Sequence, residues 1–264
     1  MKSPYVQGLK QGFAELSVYS LDFLFGLFQA VALVGFEILL WTFVLPADNQ
    51  TALFERTSYF LLANGIALVI GGARYRFARD LSLVIKEGTL SHYLLKPINP
   101  VLYIYSEHVG GKGPDFMIGL IFIIMGTLWI PTFTLVKLPL LLITLAAALI
   151  NTISLNVIAG AVAFWTTEAN GIKNAFAQTT RLFNGQQVPI NLFMEMISPF
   201  WAQFLYILPF ASVAYTPTHI VIAKTFDAID FRFIIASIIW AFILPLLATL
   251  IWNRGLKRYE GTGL

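Results

Sequence analysis

The chain has 264 residues, of which 58% are hydrophobic, 15% aromatic and only 12% charged, against about 25% charged in a soluble domain. Long apolar runs of this kind exclude an ordinary soluble fold and point to an all-α polytopic membrane protein. The formal charge of +3 is no sign of nucleic-acid binding, because lysine and arginine in such a chain report topology, and the absence of cysteine excludes a disulfide framework and thiolate chemistry.

The first 20 residues read as an in-plane amphipathic helix. Pro4 suits a first turn, and Tyr5, Leu9, Phe13 and Leu16 share a face while Gln7, Lys10, Gln11 and Glu15 fall mostly elsewhere. Gly8 and Gly12 weaken it. Glu15 and Asp22 interrupt any secretory leader pattern, so the first span is expected to be retained.

Six apolar stretches then follow, at about 23–45, 57–76, 114–136, 138–165, 189–213 and 231–252, each measured against the roughly 20 residues that a membrane-crossing helix requires. The second is expected to run on as helix through Arg74 and Arg76 toward Arg79. The fifth is the least regular, with Pro199 and Pro209 inside it. If both termini share one side, that side collects all of the 17 lysines and arginines except Arg56, Lys137, Lys224 and Arg232. The positive-inside rule places both termini in the cytoplasm.

Between the second and third spans stands KEGTLSHYLLKPINP, residues 86–100. Gly88 is a natural helix stop, Thr89 a cap for a new helix, and Pro97 and Pro100 push Lys96 and Asn99 out of helical geometry. What remains, 90–95, is under two turns, with Leu90, Tyr93 and Leu94 on one face and Lys86, Glu87 and Lys96 flanking it. A helix so short must be held by something: the protein's own helix ends, a groove on a soluble partner, or the membrane surface. A second cytoplasmic segment, 168–185, can form a short helix over 172–183 or serve as a plain connector.

Two carboxylates fall at membrane depth, Glu37 in the first span and Glu195 near the start of the fifth. Buried acids usually face a bundle interior or a wet cavity. Glu37 either lines a substrate path, pairs across a dimer, or makes a packing hydrogen bond as the protonated acid. Glu107 and Asp115 bracket Lys112 and suggest a polar cluster at the base of the third span. GGKG at 110–113 is not a phosphate-binding loop, since Ser106 stands where its first glycine belongs and Gly113 and Pro114 follow the lysine. His92, His108 and His219 are far apart in sequence, and no metal site or enzymatic motif is expected, so the chain is expected to carry no cofactor and no catalytic residue.

The 86–100 segment resembles the signature of ABC transporter permeases of the type-2 (ABC-2) exporter family, in the six-span branch where (Arg/Lys)-x-Gly-x-Leu, Leu-Leu-(Arg/Lys)-Pro and a second proline follow span two. Here these are Lys86, Gly88, Leu90, Leu94, Leu95, Lys96, Pro97, Ile98 and Pro100, with Ser91 and His92 where family members often carry an acid. VPINLF with FLYILPFASVAYTPTHIV resembles the family's fifth span through Pro189, Pro209 and Pro217. NRGLKRYEGTGL resembles its tail through Gly255, Leu256, Arg258, Tyr259 and Gly261.

The resemblance implies a multi-pass permease of the cell (inner) membrane. It would pair with a second permease, identical or homologous, and with two copies of an ABC ATPase subunit that carries the ATP and Mg. Segment 86–100 would be a coupling helix docking on the ATPase through Lys86, Glu87, Gly88, Leu90, Tyr93, Leu94, Lys96 and Pro97, helped by Lys173 and Arg181 of the second loop. Glu37 and Glu195 are the candidates for the translocation path. Residues 215–231 would be a re-entrant hairpin closing the exit, with Pro217 in it and with Ile220 and Phe226 exposed on its wall.

Other readings are a permease of an ABC importer, a secondary transporter working alone, a membrane-embedded enzyme, and a non-transport scaffold. Against the importer, EANG at 168–171 places its glycine three residues after the glutamate rather than six.

Overall fold

A computed structural model describes residues 4–18, 20–44, 50–71, 76–130, 133–166 and 169–259, and every regular element among them is helical. An N-terminal helix, α1 (Pro4–Val18), precedes the first long helix, α2 (Ser20–Val44), which is followed by α3 (Gln50–Ile70) and the shorter α4 (Arg76–Lys86) and α5 (Leu90–Leu94). Next come α6 (Pro100–Gly110), α7 (Gly113–Leu128) and α8 (Leu138–Ala161). The remainder is α9 (Ala169–Phe183), α10 (Ile190–Met196), α11 (Pro199–Ile207), α12 (Tyr215–Ile222) and α13 (Phe231–Leu256). Among the described residues, four helical segments, Leu24–Val44, Leu53–Ile70, Leu135–Phe164 and Phe231–Leu256, are each long and apolar enough to cross a bilayer. The pair α6 and α7, bent at 66°, raises the number to as many as five, against the six expected.

Small residues set the closest approach in the bundle. Gly65 of α3 and Gly119 of α7 face one another so tightly that a Cβ on either would lie 2.7–2.8 Å from the other's carbonyl oxygen. Gly126, seven residues after Gly119 on the same helix, leaves the same narrow gap toward Leu62. Such contacts hold helices together in hydrocarbon, where apolar side chains gain nothing from leaving lipid for protein. The other extensive pairing, α8 with α13, is tied by Asn151, whose amide donates to the Ser237 carbonyl, while Ala148 and Gly160 of α8 pack toward α3 and α4. Phe25, Phe28, Phe36 and Phe43 of α2 and Ile235, Phe242 and Leu246 of α13 point outward, as lipid-facing side chains do.

The structure departs from the expected spans at three places, each with a local cause. The second span does not continue into the arginines: α3 ends at Ile70, and Gly71 takes the left-handed φ of 81° that ends a helix. The arginine-bearing stretch instead forms the separate amphipathic helix α4, which buries Phe77, Ala78, Leu81 and Ile85 and packs on α8. Asn156 of α8 accepts the backbone N–H of Ala78 at 3.1 Å, supplying one of the partners that a helix's first turn lacks. Arg74 lies outside the described residues. The third span starts at the glycine-proline bend and ends at Leu128, short of Pro131. The stretch 189–213 is not one crossing helix but α10, α11 and a 3-10 turn (Pro209–Ser212), broken ahead of Pro199 and Pro209.

The N-terminal helix lies along α6. Gly8 leaves no room for a side chain beside Ser106, and Tyr103 donates a hydrogen bond to Gln11 at 3.2 Å. The glycine that weakens this helix in isolation is therefore its packing point. Both α1 and the residues following α13 sit at the same end of the bundle as α5.

Replacing Gly119 by valine is expected to force α3 and α7 apart at a cost of about 1–3 kcal/mol, read as a lower melting temperature of the detergent-solubilised protein. Gly35→Ala, where a Cβ meets nothing within 4 Å, should leave the melting temperature unchanged.

Candidate functional site

Three regions bring together residues distant in sequence. The first is the elbow around α5. Gly88, with φ 74°, reverses the chain after α4, a conformation that side-chain-bearing residues adopt at a cost. Thr89 stands at the cap position of α5, but its hydroxyl donates back to the carbonyl of Val84 at 3.3 Å rather than capping the new helix. The bracing comes from elsewhere. Tyr259, beyond the end of α13, donates to the Gly88 carbonyl at 2.6 Å and accepts from the Ser91 N–H at 3.3 Å.

On the far side of the elbow, Asn99 accepts the N–H of Leu102 at 3.1 Å and caps α6, with Pro100 in its first turn. Tyr93 donates to Glu107 at 3.2 Å, and the Lys96 ammonium sits 5.1 Å above the Tyr103 ring and 5.6 Å from that of Tyr93.

Of the face formed by Leu90, Tyr93 and Leu94, only Leu94 is open. Leu90 is fully buried among Leu81, Ile85, Ile104 and Trp252, and Tyr93 is half-buried. Leu94 is 42% and Leu95 85% exposed. Glu87, His92, Lys96 and Pro97 are exposed beside them, and Lys86 is half-buried. The side chain of Lys173 lies outside the described residues.

The second region is a buried polar chain. Asn64 of α3 donates to the Glu37 carboxylate at 2.8 Å. The Gln186 amide donates to Asn64 at 3.3 Å, and Asn184 donates to Gln186 at 2.6 Å. Tyr59 and Trp41 each donate at 2.7 Å to backbone carbonyls of the same loop, those of Gly185 and Gln187. Glu37 is only 7% exposed. A cavity of about 100 Å³ adjoins the chain, and Gln29, Asn64, Arg181 and Gln186 supply its polar lining.

Segment 168–185 forms a helix, one of the two readings open for it: α9, Ala169–Phe183, whose far end is buried among α2, α3 and α12. Arg181, grouped in sequence with the cytoplasmic coupling residues, lines the cavity beside Asn64 and acts on Glu37 as the opposite charge. The face of α9 turned away from the bundle carries Asn174, Gln178 and Thr179, all exposed. Glu195 is exposed on α10 and makes no part of this chain.

The third region is a hairpin preceding α13. Its first limb, α10 and α11, reaches the 3-10 turn at Pro209–Ser212. There Ser212 meets Asn151, whose amide donates to the Ser212 hydroxyl at 3.0 Å and to the Ser237 carbonyl at 3.1 Å. Asn151 lies about 20 Å along α8 from its first residue, so the tip of the hairpin reaches deep into the bundle. The second limb, α12, returns to the level at which Lys137 donates to the Ala223 carbonyl. Pro217 is buried and Phe226 is 40% exposed, but Ile220, expected on the exposed wall, is 1% exposed and packs with Ala223, Ile229 and Ile234. Within α12, Ile220 faces the long helices rather than lipid. The hairpin is thus longer than 215–231: it includes the stretch read as the fifth span.

Replacing Asn64 by leucine strands both Glu37 and Gln186 and is expected to lower stability by about 1–3 kcal/mol. Glu37→Gln, which can still accept from Asn64, should lose far less in the same thermal melt. A pH effect follows at the start of α13. Burial pushes the Asp230 carboxyl up, but hydrogen bonds from Arg232 and Tyr206 outweigh it and hold the group below its ordinary value. The stabilisation is therefore fully present above about pH 4 and is lost as pH falls through the depressed value. The melting temperature of the wild type should exceed that of Asp230→Asn at neutral pH, and the gap should close on acidification below about pH 4.

No curated protein matches this chain. Residues 50–263, from the first residue of α3 into the tail beyond Tyr259, match the family described as ABC-2 family transporter protein. The matched region contains the elbow, the polar helix α9 and the hairpin, and the chain belongs to the ABC-2 transporter family as one of its multi-pass membrane proteins.

Proposed function

We propose that this chain is the permease subunit of an ATP-driven ABC exporter, forming the translocation path and coupling to a separate ATPase subunit. The observation that carries the reading is the exposed side of α9, which bears Asn174, Gln178 and Thr179, on a helix whose Arg181 lines the small cavity beside Asn64, the partner of Glu37. Polar side chains at membrane depth face protein or a wet cavity rather than lipid. A second permease, identical or homologous, completes such a cavity from the opposite side, and the cargo passes between the two.

The braced elbow supports the other half of the proposal. Leu94 and Leu95 stand open on a helix held by Gly88, Tyr259, Glu107 and Lys96. A short helix fixed at both ends transmits a push, whereas a slack loop absorbs it. Two ATPase subunits docked on this ledge at the inner face of the cell membrane would bind ATP and Mg²⁺ and perform the hydrolysis, leaving the permease without catalytic chemistry of its own. Their closure would shift the pair between inward- and outward-open states. The hairpin before α13 would close the exit.

Co-expression with the ATPase encoded beside it, followed by purification in mild detergent, tests the proposal. The wild type should retain the ATPase, and Leu94→Glu with Leu95→Glu should lose it while folding normally. Tyr259→Phe should retain binding but weaken the stimulation of ATP hydrolysis by the permease. A wild-type chain that recruits no ATPase would favour a secondary transporter or a scaffold.

A further inference from the structure

A cavity of about 560 Å³ lies between α1, the end of α3, the bend joining α6 to α7, and α8. It is separate from the cavity beside Glu37 and has no role in the transport reading above. Leu9, Leu68, Ile70, Phe77, Phe116 and Leu149 supply most of its wall. Its polar groups are few. Lys112 stands at the bend, where its ammonium donates to the Gly71 carbonyl at 3.3 Å. His108 lies beside it in sequence, paired with Asp80 at 2.6 Å. Thr152, 3% exposed, lines the wall with a buried hydroxyl oxygen that has no hydrogen-bond partner.

We infer that this cavity binds one anionic phospholipid from the leaflet on the α5 side. Four observations lead to that occupant. The volume falls within the range of about 300–1,000 Å³ typical of ligand pockets, and the apolar wall with a few placed polar groups is their usual lining. The site sits where α6 turns at 66° into α7, and Leu9, Phe116 and Leu149 of its wall are partly exposed on the outside of the bundle, so an amphiphile in the bilayer would reach it directly. Leu149 lies about 18 Å along α8 from its end at Ala161, which gives an acyl chain depth to lie in. Lys112 provides a cation at the bend for a phosphate.

The bound lipid would mortar α1 and α6 onto the transmembrane helices, because its acyl chain touches Leu9 on one side and Leu68 and Leu149 on the other. The inference holds whether or not an ATPase docks on α5, and its test uses the permease alone.

Native mass spectrometry of the full chain, titrated with phosphatidylglycerol or phosphatidylcholine, decides the matter. One phosphatidylglycerol per chain is expected, bound in preference to phosphatidylcholine by about tenfold, the scale of a single charge-assisted hydrogen bond. Lys112→Ala should remove the preference and leave weak binding of both lipids. Leu149→Trp, which fills the cavity, should abolish retention of both. Melting temperatures of the lipid-free variants confirm that each is folded. Absence of a retained lipid, equal retention of the two lipids by the wild type, or undiminished retention in Leu149→Trp would overturn the inference. Protection by inorganic phosphate alone equal to that by phosphatidylglycerol would overturn it too, since that result needs no acyl chain.

Discussion

Hydrocarbon offers a polar atom no hydrogen bond, so each amide, hydroxyl and carboxylate carried into it must be met by protein. Much of the bundle answers that demand. On the fully buried Asn151 of α8 the amide N–H group donates both to the tip of the hairpin and to the backbone of α13, while its oxygen has no partner among the described residues. One side chain thereby ties three elements together. Asn156 does the same between α8 and the first turn of α4. Asn64 joins Glu37 on α2 to Gln186 in the loop after α9. Glycine performs the complementary task between α3 and α7, where backbones come close enough that no polar tie is needed.

This division of labour explains why the polar helix α9 borders the most polar chain of the bundle. Polar side chains that find partners inside the chain, such as Glu37, cement the bundle. Those that remain exposed at depth, such as Gln178, require water or another protein. The boundary between the two sets runs along α9. Arg181 sits on that boundary, half-buried between Glu37 and the small cavity.

Much of the architecture was legible in the order of residues. Apolar runs marked α2, α3, α8 and α13, and Gly88 announced its turn, because both signals are local: hydropathy over some 20 residues, and a backbone angle that glycine adopts freely. The segment around α5 could be recognised as a structured element, but not its orientation. Leu90 and Leu94 are one turn apart, and only the position of α4, α6 and the tail decides that one is buried and the other open. The stretch 189–213 reads as one continuous helix for a related reason. Residues 189–213 are the more apolar and α9 the more polar, and hydropathy places the oil in the membrane. In the structure the apolar stretch is broken ahead of its prolines and folds as a hairpin limb, while the polar helix runs into the bundle. Arg181 moved with it from a presumed surface to the interior. Glu37 carried its own signal as a lone acid in a long apolar run, but its partners, 27 residues and more away, carried none. Tyr259 stood inside a recognisable tail motif whose purpose was invisible without the carbonyl it meets.

The bond from Tyr259 to Gly88 joins residues 171 positions apart, and this separation imposes an order on biogenesis. When α2 to α7 first enter the membrane, α5 has already emerged from the ribosome, yet its elbow lacks the phenol that holds it. The missing group arrives only after the hairpin and α13 have been synthesised and inserted. In a half-made chain α5 is therefore braced only by its neighbours α4 and α6, through Leu90, Tyr93 and Lys96. The finished chain adds a lock from its own far end, so the geometry of the elbow is complete only when the last helix is in place.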